Sequence, residues 1–161
     1  MKKEISIEKI RYDAEEVFKT GMFLCAEAVV HSIRQNIDPE MPKALISAAS
    51  GFPIGVGRSK CMCGTVSAGV LCLGYFFGRD FPTTITDPQS LKTITLAYEL
   101  QERFKMKHEV LCCHIHTKDM DMASGEYVEK CVGFVGDMAS ITAEIIAREF
   151  GLPVAGGRVQ R

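Results

Sequence analysis

Residues 55–78, GVGRSKCMCGTVSAGVLCLGYFFG, constrain the fold more than any other stretch of the chain. A glycine-rich loop leads here into a segment that reads as a helix apolar on nearly every side, and such a helix is typical of the middle of a fold. Two closely spaced cysteines, Cys61 and Cys63, fall at the start of this helix. The positive end of a helix dipole favours thiolate over thiol. We therefore expect any chemistry of this protein to start at this junction.

The rest of the chain indicates one helical domain. Its 161 residues are enough to bury a core without disulfide support. Apolar residues recur at helical spacing along most of the chain, and no segment reads as a convincing strand. The pattern predicts an all-α bundle of about six helices around the central apolar helix. We expect a single domain over residues 1–161, with frayed ends at 1–5 and 152–161.

Capping signals help to place the predicted helices. Asp38-Pro39 and Asp87-Pro88 are typical helix openings, with an Asp cap followed by Pro at the first helical position. Ser124 is expected to cap the last helix, and Gly151 with Pro153 to stop it. The predicted helices cover residues 6–19, 22–36, 39–50, the stretch after the loop 51–60 up to about 77, 88–107 and 124–150.

Composition excludes several classes of function. The formal net charge is −1, so no global field indicates a nucleic acid or an anionic membrane as partner. No run of 18 apolar residues occurs, which argues against direct membrane insertion. The first residues, MKKEISIEKI, lack the apolar region of a signal peptide, so we expect a cytoplasmic, reducing location. No Ser/His/Asp set or paired-carboxylate site stands out, and whether the protein is an enzyme stays open.

The seven cysteines are the most informative side chains. Disulfides are disfavoured in a reducing compartment, and an odd number cannot pair fully within one chain. Cys25 and Cys131 fall on the apolar faces of two predicted helices, Cys63 opens the central helix, and Cys112 follows a helix–loop junction. Four separate segments could therefore bring these four thiols together in the core. Their spacing is not that of a zinc ribbon or of a c-type haem motif.

The order and surroundings of these cysteines resemble the redox-active protein family named for its C_GCAxxG_C_C pattern. The resemblance covers roughly residues 20–147 and rests on LCAEAVVHSI, GFPIGVG, CGTVSAGVLCLG, ERFKMKHEVLC and KCVGFVGDMA. It implies a small, largely helical protein with a redox role, and a link to a membrane transporter through genes often found nearby. Two positions depart from the pattern: Thr65 stands where the family has Ala, and Ala68 where it has Gly, the next glycine being Gly69.

Two chemistries remain open for the four-cysteine set, to which we assign both the catalytic and the metal-binding role. Four thiolates suit an iron–sulfur cluster or a tetrahedral Zn ion, whereas two pairs could instead cycle between dithiol and disulfide. We expect an electron-transfer protein that uses Cys25, Cys63, Cys112 and Cys131 with an as yet unknown redox partner. The alternatives are a non-catalytic zinc-binding or metal-handling module and a plain helical interaction domain. A homodimer is compatible with the apolar content.

The remaining cysteines carry weaker expectations. Cys61 and Cys113 stand beside family positions and are secondary candidates for cofactor binding, the alternative being thiols with no task. Either member of the Cys112-Cys113 pair could occupy the site. Cys72 lies inside the apolar helix and is expected to serve packing.

Two further features have both a functional and a purely structural interpretation. His114 and His116, next to two cysteines, would be good zinc or iron ligands, or they simply belong to a polar connector. His31 and His108 are expected to be solvated. The loop 51–60 could present backbone N–H groups and Arg58 to an anion, or it could serve only to bring Cys61 and Cys63 to the core.

Overall fold

The computed structural model describes residues 1–121 and 123–156. This part of the chain contains eight helical segments: α1 (Ile7–Lys19), α2 (Cys25–Asn36), α3 (Ala44–Ala49), α4 (Pro53–Val56), α5 (Gly64–Phe77), α6 (Pro88–His108), α7 (Cys113–Thr117) and α8 (Glu126–Phe150). Its only β-type pairing is the isolated bridge between Ile5 and Val154. The predicted all-α fold is therefore confirmed, with short segments added to the longer helices. None of the helices described is both long and apolar enough to cross a membrane.

Helix α8 packs against more of the bundle than its sequence alone suggested. It contacts α1, α2, α5 and α6, and every residue from 134 to 143 is buried. The apolar helix α5 contacts α2, α6 and α8 but exposes Gly74 and Tyr75 near its end. Two helices thus share the interior of the bundle, α5 and α8.

Gly69 sets the distance between these two helices. A Cβ atom at this position would lie 2.6 Å from Met138 Sδ, 2.9 Å from Leu100 Cδ1 and 3.0 Å from Thr142 Oγ1. Real Cβ atoms almost never come this close to a neighbour, so any larger residue here would displace the side chains of α8 and α6 that pack against α5. Gly69 therefore serves helix packing.

Some of the predicted helix openings hold and two do not. Ser124 does not cap α8, whose N-cap is Gly125 with no side-chain cap. Asp87 accepts a hydrogen bond from the Ser90 N–H at 2.9 Å and α6 begins at Pro88, as expected. Asp38-Pro39, in contrast, opens no helix, because α3 begins only at Ala44. The Asp38 carboxylate accepts the Tyr75 hydroxyl at 3.0 Å instead of capping a helix.

The chain ends pair with each other where fraying was expected. The Ile5 N–H donates to the Pro153 carbonyl at 3.1 Å, and the Ala155 N–H donates to the Ile5 carbonyl at 2.9 Å. Ile5 is buried, so this pairing belongs to the core. The expectation for 157–161 lies outside the described residues.

Candidate functional site

Four cysteines line one cavity. They are Cys25, Cys63, Cys113 and Cys131, and the space they border measures about 480 Å³ including its open side. The other walls are mainly apolar and include Phe18, Leu24, Pro53, Tyr127 and Phe134. Each cysteine comes from a different helix or helix start, so the fold brings together thiols that are far apart in sequence.

Three of these cysteines stand at the beginning of a helix. Cys25 is the first residue of α2, Cys63 directly precedes α5, and Cys113 is the first residue of α7. Cys131 lies in the second turn of α8. The first N–H groups of a helix have no partner within it and carry partial positive charge. The ends of α2 and α5 that meet at the cavity therefore favour negative charge there.

The surroundings of Cys25 are shaped closely around its sulfur. The backbone N–H groups of Ile54 and Ala26 lie close to it. A Cβ atom at Gly64 would lie 3.1 Å from Cys25 Sγ and 2.6 Å from the Phe52 carbonyl oxygen, so the start of α5 approaches this sulfur only because residue 64 is glycine. On the next wall, the Thr65 hydroxyl lies 3.2 Å from Cys63 Sγ.

An unusual loop delivers the Ile54 N–H to the cavity. Residues 54–58 all have positive φ, between 47° and 68°. This conformation suits the two glycines in the run but is strained by roughly 1–2 kcal/mol for each L side chain, among them Ile54 and Val56. Hydrogen bonds hold it in place, including Ser59 Oγ to the Gly55 carbonyl at 2.6 Å and the Lys60 N–H to the Ile54 carbonyl at 3.2 Å. Such strain concentrates at functional sites.

Burial keeps three of the four cavity thiols, Cys25, Cys113 and Cys131, protonated. It raises the pKa of Cys25 to about 12, with a further increase from the nearby Cys63. Burial likewise raises the pKa of Cys131 to about 12, again with contributions from Cys63 and Cys25. Burial also raises the pKa of Cys113. These thiols are close enough to feel each other's charge, and at neutral pH they are neutral unless positive charge enters the cavity.

The cavity thiols are not arranged around a single metal ion. Across residues 1–121 and 123–156, no group of three or more His, Cys, Asp or Glu side chains is arranged to hold a metal ion. A single zinc ion needs four ligand atoms on one point, with sulfur at about 2.3 Å. The four cysteine sulfurs are the kind of donor that binds zinc or iron. They are spread along the wall of the cavity, however, and are farther apart than the ligands of a single ion.

Cys112 and Cys61 do not line the cavity, which differs from the sequence-based assignment. Cys112 is extended and only half-buried, and its S–H points to the Lys60 carbonyl at 3.7 Å. Cys61 is exposed. Helix α7 begins between Cys112 and Cys113, so these neighbours point in different directions and Cys113 takes the place assigned to Cys112. The sequence carries no signal that would fix this boundary to a single residue.

The histidines do not line the cavity either. His116 is buried with Nε2 at 3.0 Å from the Val110 carbonyl, and His114 is exposed. His108 was expected to be solvated, but its Nε2 lies 2.9 Å from Asp137 Oδ2 and its ring packs on Phe104. His31 is half-buried against Phe23.

Asp137 forms a polar cluster that sequence reasoning missed. Its carboxylate accepts hydrogen bonds from Arg11 Nη1 at 2.6 Å and Lys107 Nζ at 2.8 Å, besides the contact with His108. Burial would raise the pKa of this carboxyl, but the hydrogen bonds from Lys107 and Arg11 hold it below its usual range. In the sequence, the sign of this cluster is a single Asp on the apolar face of the last predicted helix.

Fold and site together define a small helical protein with four thiols around one largely apolar cavity. The sequence model of the family described as "Putative redox-active protein (C_GCAxxG_C_C)" matches residues 23–145. The chain belongs to this family, and the resemblance found in the sequence is confirmed. Comparison with curated proteins and with solved structures gives no match.

Proposed function

We propose that this protein transfers electrons through a redox centre in the cavity, with Cys25, Cys63, Cys113 and Cys131 as ligands of an iron–sulfur cluster. The observation that carries the proposal is the meeting of these four thiols, from four helices, at a single cavity. Membership of a family described as redox-active supports the general class. When bound, a cluster of this kind supplies reversible one-electron transfer.

The residues around the sulfurs have the properties that a cluster site needs. Hydrogen bonds to ligand sulfurs and exclusion of solvent both tune the reduction potential of such centres. The N–H groups of Ile54 and Ala26 would provide hydrogen bonds to the Cys25 sulfur, and the Thr65 hydroxyl would provide one to the Cys63 sulfur. Apolar side chains of the wall, such as Phe18 and Phe134, would exclude solvent from the centre.

Two alternatives use the same thiols but receive less support. A single zinc ion would require the four sulfurs to close around one point, whereas a cluster binds them at separate iron atoms. Dithiol exchange needs a thiolate as nucleophile, and burial raises the pKa of both Cys25 and Cys131 to about 12. Ligation is favoured because a metal centre itself supplies the positive charge that deprotonates these thiols.

A pair of adjacent variants tests the assignment. The full chain would be purified anaerobically, treated with iron and sulfide, and analysed for iron, acid-labile sulfide and a visible absorption band that bleaches on reduction. We expect Cys113→Ser to lose the iron and the band while staying helical by circular dichroism. Cys112→Ser is the matched control and should keep both.

Several outcomes would contradict the proposal. Retention of iron and sulfide in Cys113→Ser together with their loss in Cys112→Ser would exclude this set of ligands. Zinc uptake in a redox-silent protein that unfolds in chelator would establish the structural zinc module instead. A wild-type protein that takes up neither iron nor zinc would exclude a metal centre in the cavity.

Proton release provides a second, independent readout. Because Cys25, Cys113 and Cys131 are neutral at neutral pH, each of them that binds a metal must give up about one proton. Titration of the reduced, metal-free protein with Fe²⁺ in weak buffer containing a pH indicator should therefore release more than two protons per protein. Binding without proton release would show that the metal goes elsewhere.

A further inference from the structure

One side of helix α6 is apolar and stays uncovered within the described part of the chain. The buried stripe of α6 turns toward α5 and α8 and consists of Leu96, Leu100 and Phe104. The opposite side carries a second apolar stripe, which is exposed and consists of Leu91, Ile94 and Tyr98. We call this exposed stripe the α6 face. The chain that leads into the helix exposes two more large apolar side chains, Phe81 and Ile85.

The surroundings of the α6 face are poor in charge. Between positions 81 and 98 the sequence contains only two charged residues, Asp87 and Lys92. Lys92 is turned toward α8, where its Nζ lies 2.9 Å from Glu149 Oε2. Asp87 caps α6 through one of its two carboxylate oxygens. An exposed surface that combines aliphatic and aromatic side chains with few charges has the composition of the centre of a protein interface.

The α6 face is flanked by an acid and a base at equal distances. Asp87 precedes Ile94 by seven residues, about two turns, and Lys105 follows Tyr98 by seven residues. Asp87 and Lys105 are 18 residues apart, which is five full turns, so they lie on the same side of α6. When two α6 helices pack antiparallel with Ile94 of each against Tyr98 of the other, Asp87 of each lies level with Lys105 of the other. The face is thus complementary to itself in apolar surface and in charge.

Both flanking groups are able to bind across such a contact. Lys105 forms an ion pair with Glu102 on its own helix. Its ammonium group carries three N–H donors, so it can bind a second carboxylate as well. The cap of α6 uses only Oδ2 of Asp87, which leaves Oδ1 to face the ammonium of the other copy.

We propose that a second copy of this chain covers the α6 face, so that the protein is a homodimer with its two α6 helices packed antiparallel. The two-fold axis lies at the level of residue 96, midway between Ile94 and Tyr98. The same surface serves both copies, as in the isologous interface of a two-fold dimer.

The exposed apolar area is large enough for such a dimer. Phe81, Ile85, Leu91, Ile94 and Tyr98 keep between 49% and 84% of their surface exposed. At about 150–250 Å² for an aromatic side chain and somewhat less for an aliphatic one, this amounts to roughly 500 Å². A standard interface covers about 800 Å² on each copy, so these residues supply its apolar centre. No α6 residue lines the thiol cavity, so the dimer leaves the cavity open, and this proposal is independent of the proposed function.

Zero-length cross-linking tests the register of the two helices. The full chain, with a thiol reductant present to prevent disulfides between copies, would be treated with a carbodiimide that couples a lysine amine to a carboxylate. Asp87 and Lys105 of one copy are about 27 Å apart along α6, so an amide between them can form only between two copies. Peptide mapping of the dimer fraction should find this amide. Lys105→Gln should lack it.

A pair of exposed tyrosines tests the surface itself. Tyr98→Arg would place a cation against the apolar centre of the interface, and the dissociation constant of the dimer should rise by about thirtyfold or more. Tyr12→Arg is the matched control, because Tyr12 is 62% exposed on α1 and Tyr98 is 63% exposed. Its dissociation constant should equal that of the wild type. Sedimentation over a range of concentrations measures all three, and circular dichroism checks that the variants are folded.

Three results would overturn the proposal. The first is a wild type that sediments as a monomer up to its solubility limit. The second is a dimer that Tyr98→Arg weakens no more than Tyr12→Arg does. The third is a dimer fraction whose cross-links join other positions while the amide between Asp87 and Lys105 is missing, which would show that a different surface pairs the copies.

Discussion

Helix α8 carries two ionisable groups, the half-buried Cys131 and the buried Asp137, whose surroundings differ in one decisive respect. The Asp137 carboxylate meets the cations of Arg11 and Lys107. The Cys131 thiol meets other thiols and apolar walls at the cavity. Both groups are penalised by burial when charged, but only Asp137 has partners that reverse the penalty.

The direction of the two pKa changes reports this difference. For Asp137, burial is outweighed by the hydrogen bonds of Lys107 and Arg11, so its pKa falls. For Cys131, burial and the neighbouring Cys63 raise the pKa to about 12, and Lys130 opposes this only weakly. A buried group whose charge the protein already compensates serves structure. A group of uncompensated thiols is ready to receive positive charge from outside, as a metal centre would provide.

The largest effect on stability is expected from Asp137→Asn. The substitution leaves Arg11 and Lys107 without their carboxylate, and breaking a buried ion pair lowers the free energy of unfolding by about 3–5 kcal/mol. Because the side chains of Arg11 and Lys107 are 40% and 50% exposed, we expect roughly 2–4 kcal/mol. Urea unfolding followed by circular dichroism measures this decrease in the free energy of unfolding.

An exposed ion pair of α1 provides the control for this variant. Lys19 and Glu16 lie 3.2 Å apart with side chains 46% and 41% exposed, so Glu16→Gln should change the free energy of unfolding by less than about 0.5 kcal/mol. The contrast drawn above would be wrong if Asp137→Asn were no more destabilising than Glu16→Gln. Iron binding by the Asp137→Asn protein should persist wherever it is folded.

The sequence anticipated the cavity better than the polar cluster, for physical reasons. Apolar periodicity placed Cys25 and Cys131 on inward faces, and the glycine-rich loop placed Cys63 at a helix start. Helical spacing is a strong signal, so the thiols of long helices were found. The choice between Cys112 and Cys113 stayed open in the sequence, because it depends on where α7, a helix of only five residues, begins.

The Asp137 cluster escaped prediction because its members come from distant segments. Arg11 lies 126 positions from Asp137 and Lys107 lies 30 positions away, so no local pattern links them. His108 looked solvated because it follows lysines in KMKH, yet it comes at the end of a helix that turns it toward α8. Long-range pairing of charges is fixed by the packing of helices, which the sequence reveals only indirectly.

A smaller effect is expected where α5, with Cys63 at its start, packs on α8. In Gly69→Ala the new methyl group would meet Met138 Sδ at 2.6 Å and Leu100 Cδ1 at 2.9 Å, forcing the helices apart. Overpacking of this kind typically lowers the free energy of unfolding by about 1–3 kcal/mol, and we expect about 1–2 because both neighbouring atoms end flexible side chains. Iron retention should fall too, since Cys63 would move relative to Cys131.

The same helix offers a matched control. Nothing lies within 4 Å of a Cβ atom at Gly74, so Gly74→Ala should raise the free energy of unfolding by about 0.5–1 kcal/mol through helix propensity alone. Equal effects of the two substitutions in a urea titration would contradict the packing role of Gly69.

The smallest effect is expected from acidification between pH 7.5 and 5.5. Burial lowers the pKa of His108, although the nearby Asp137 acts to raise it. Burial also lowers the pKa of His116, and the positive charges of His108 and Lys130 lower it further. The unfolded chain therefore binds more protons than the folded one as the pH falls below the usual histidine value of 6.5. The free energy of unfolding should decrease over this range.

Asp137 does not interfere in this pH window. Its pKa lies below the usual 3.8, so the stability it contributes is lost only at still lower pH. Urea unfolding at the two pH values should show a smaller decrease in His116→Gln than in the wild type, while His114→Gln, at an exposed position of the same helix, should match the wild type. Stability that rises on acidification would show that the protein stabilises the charged imidazolium. A decrease unaffected by His116→Gln would show that His116 is not its source.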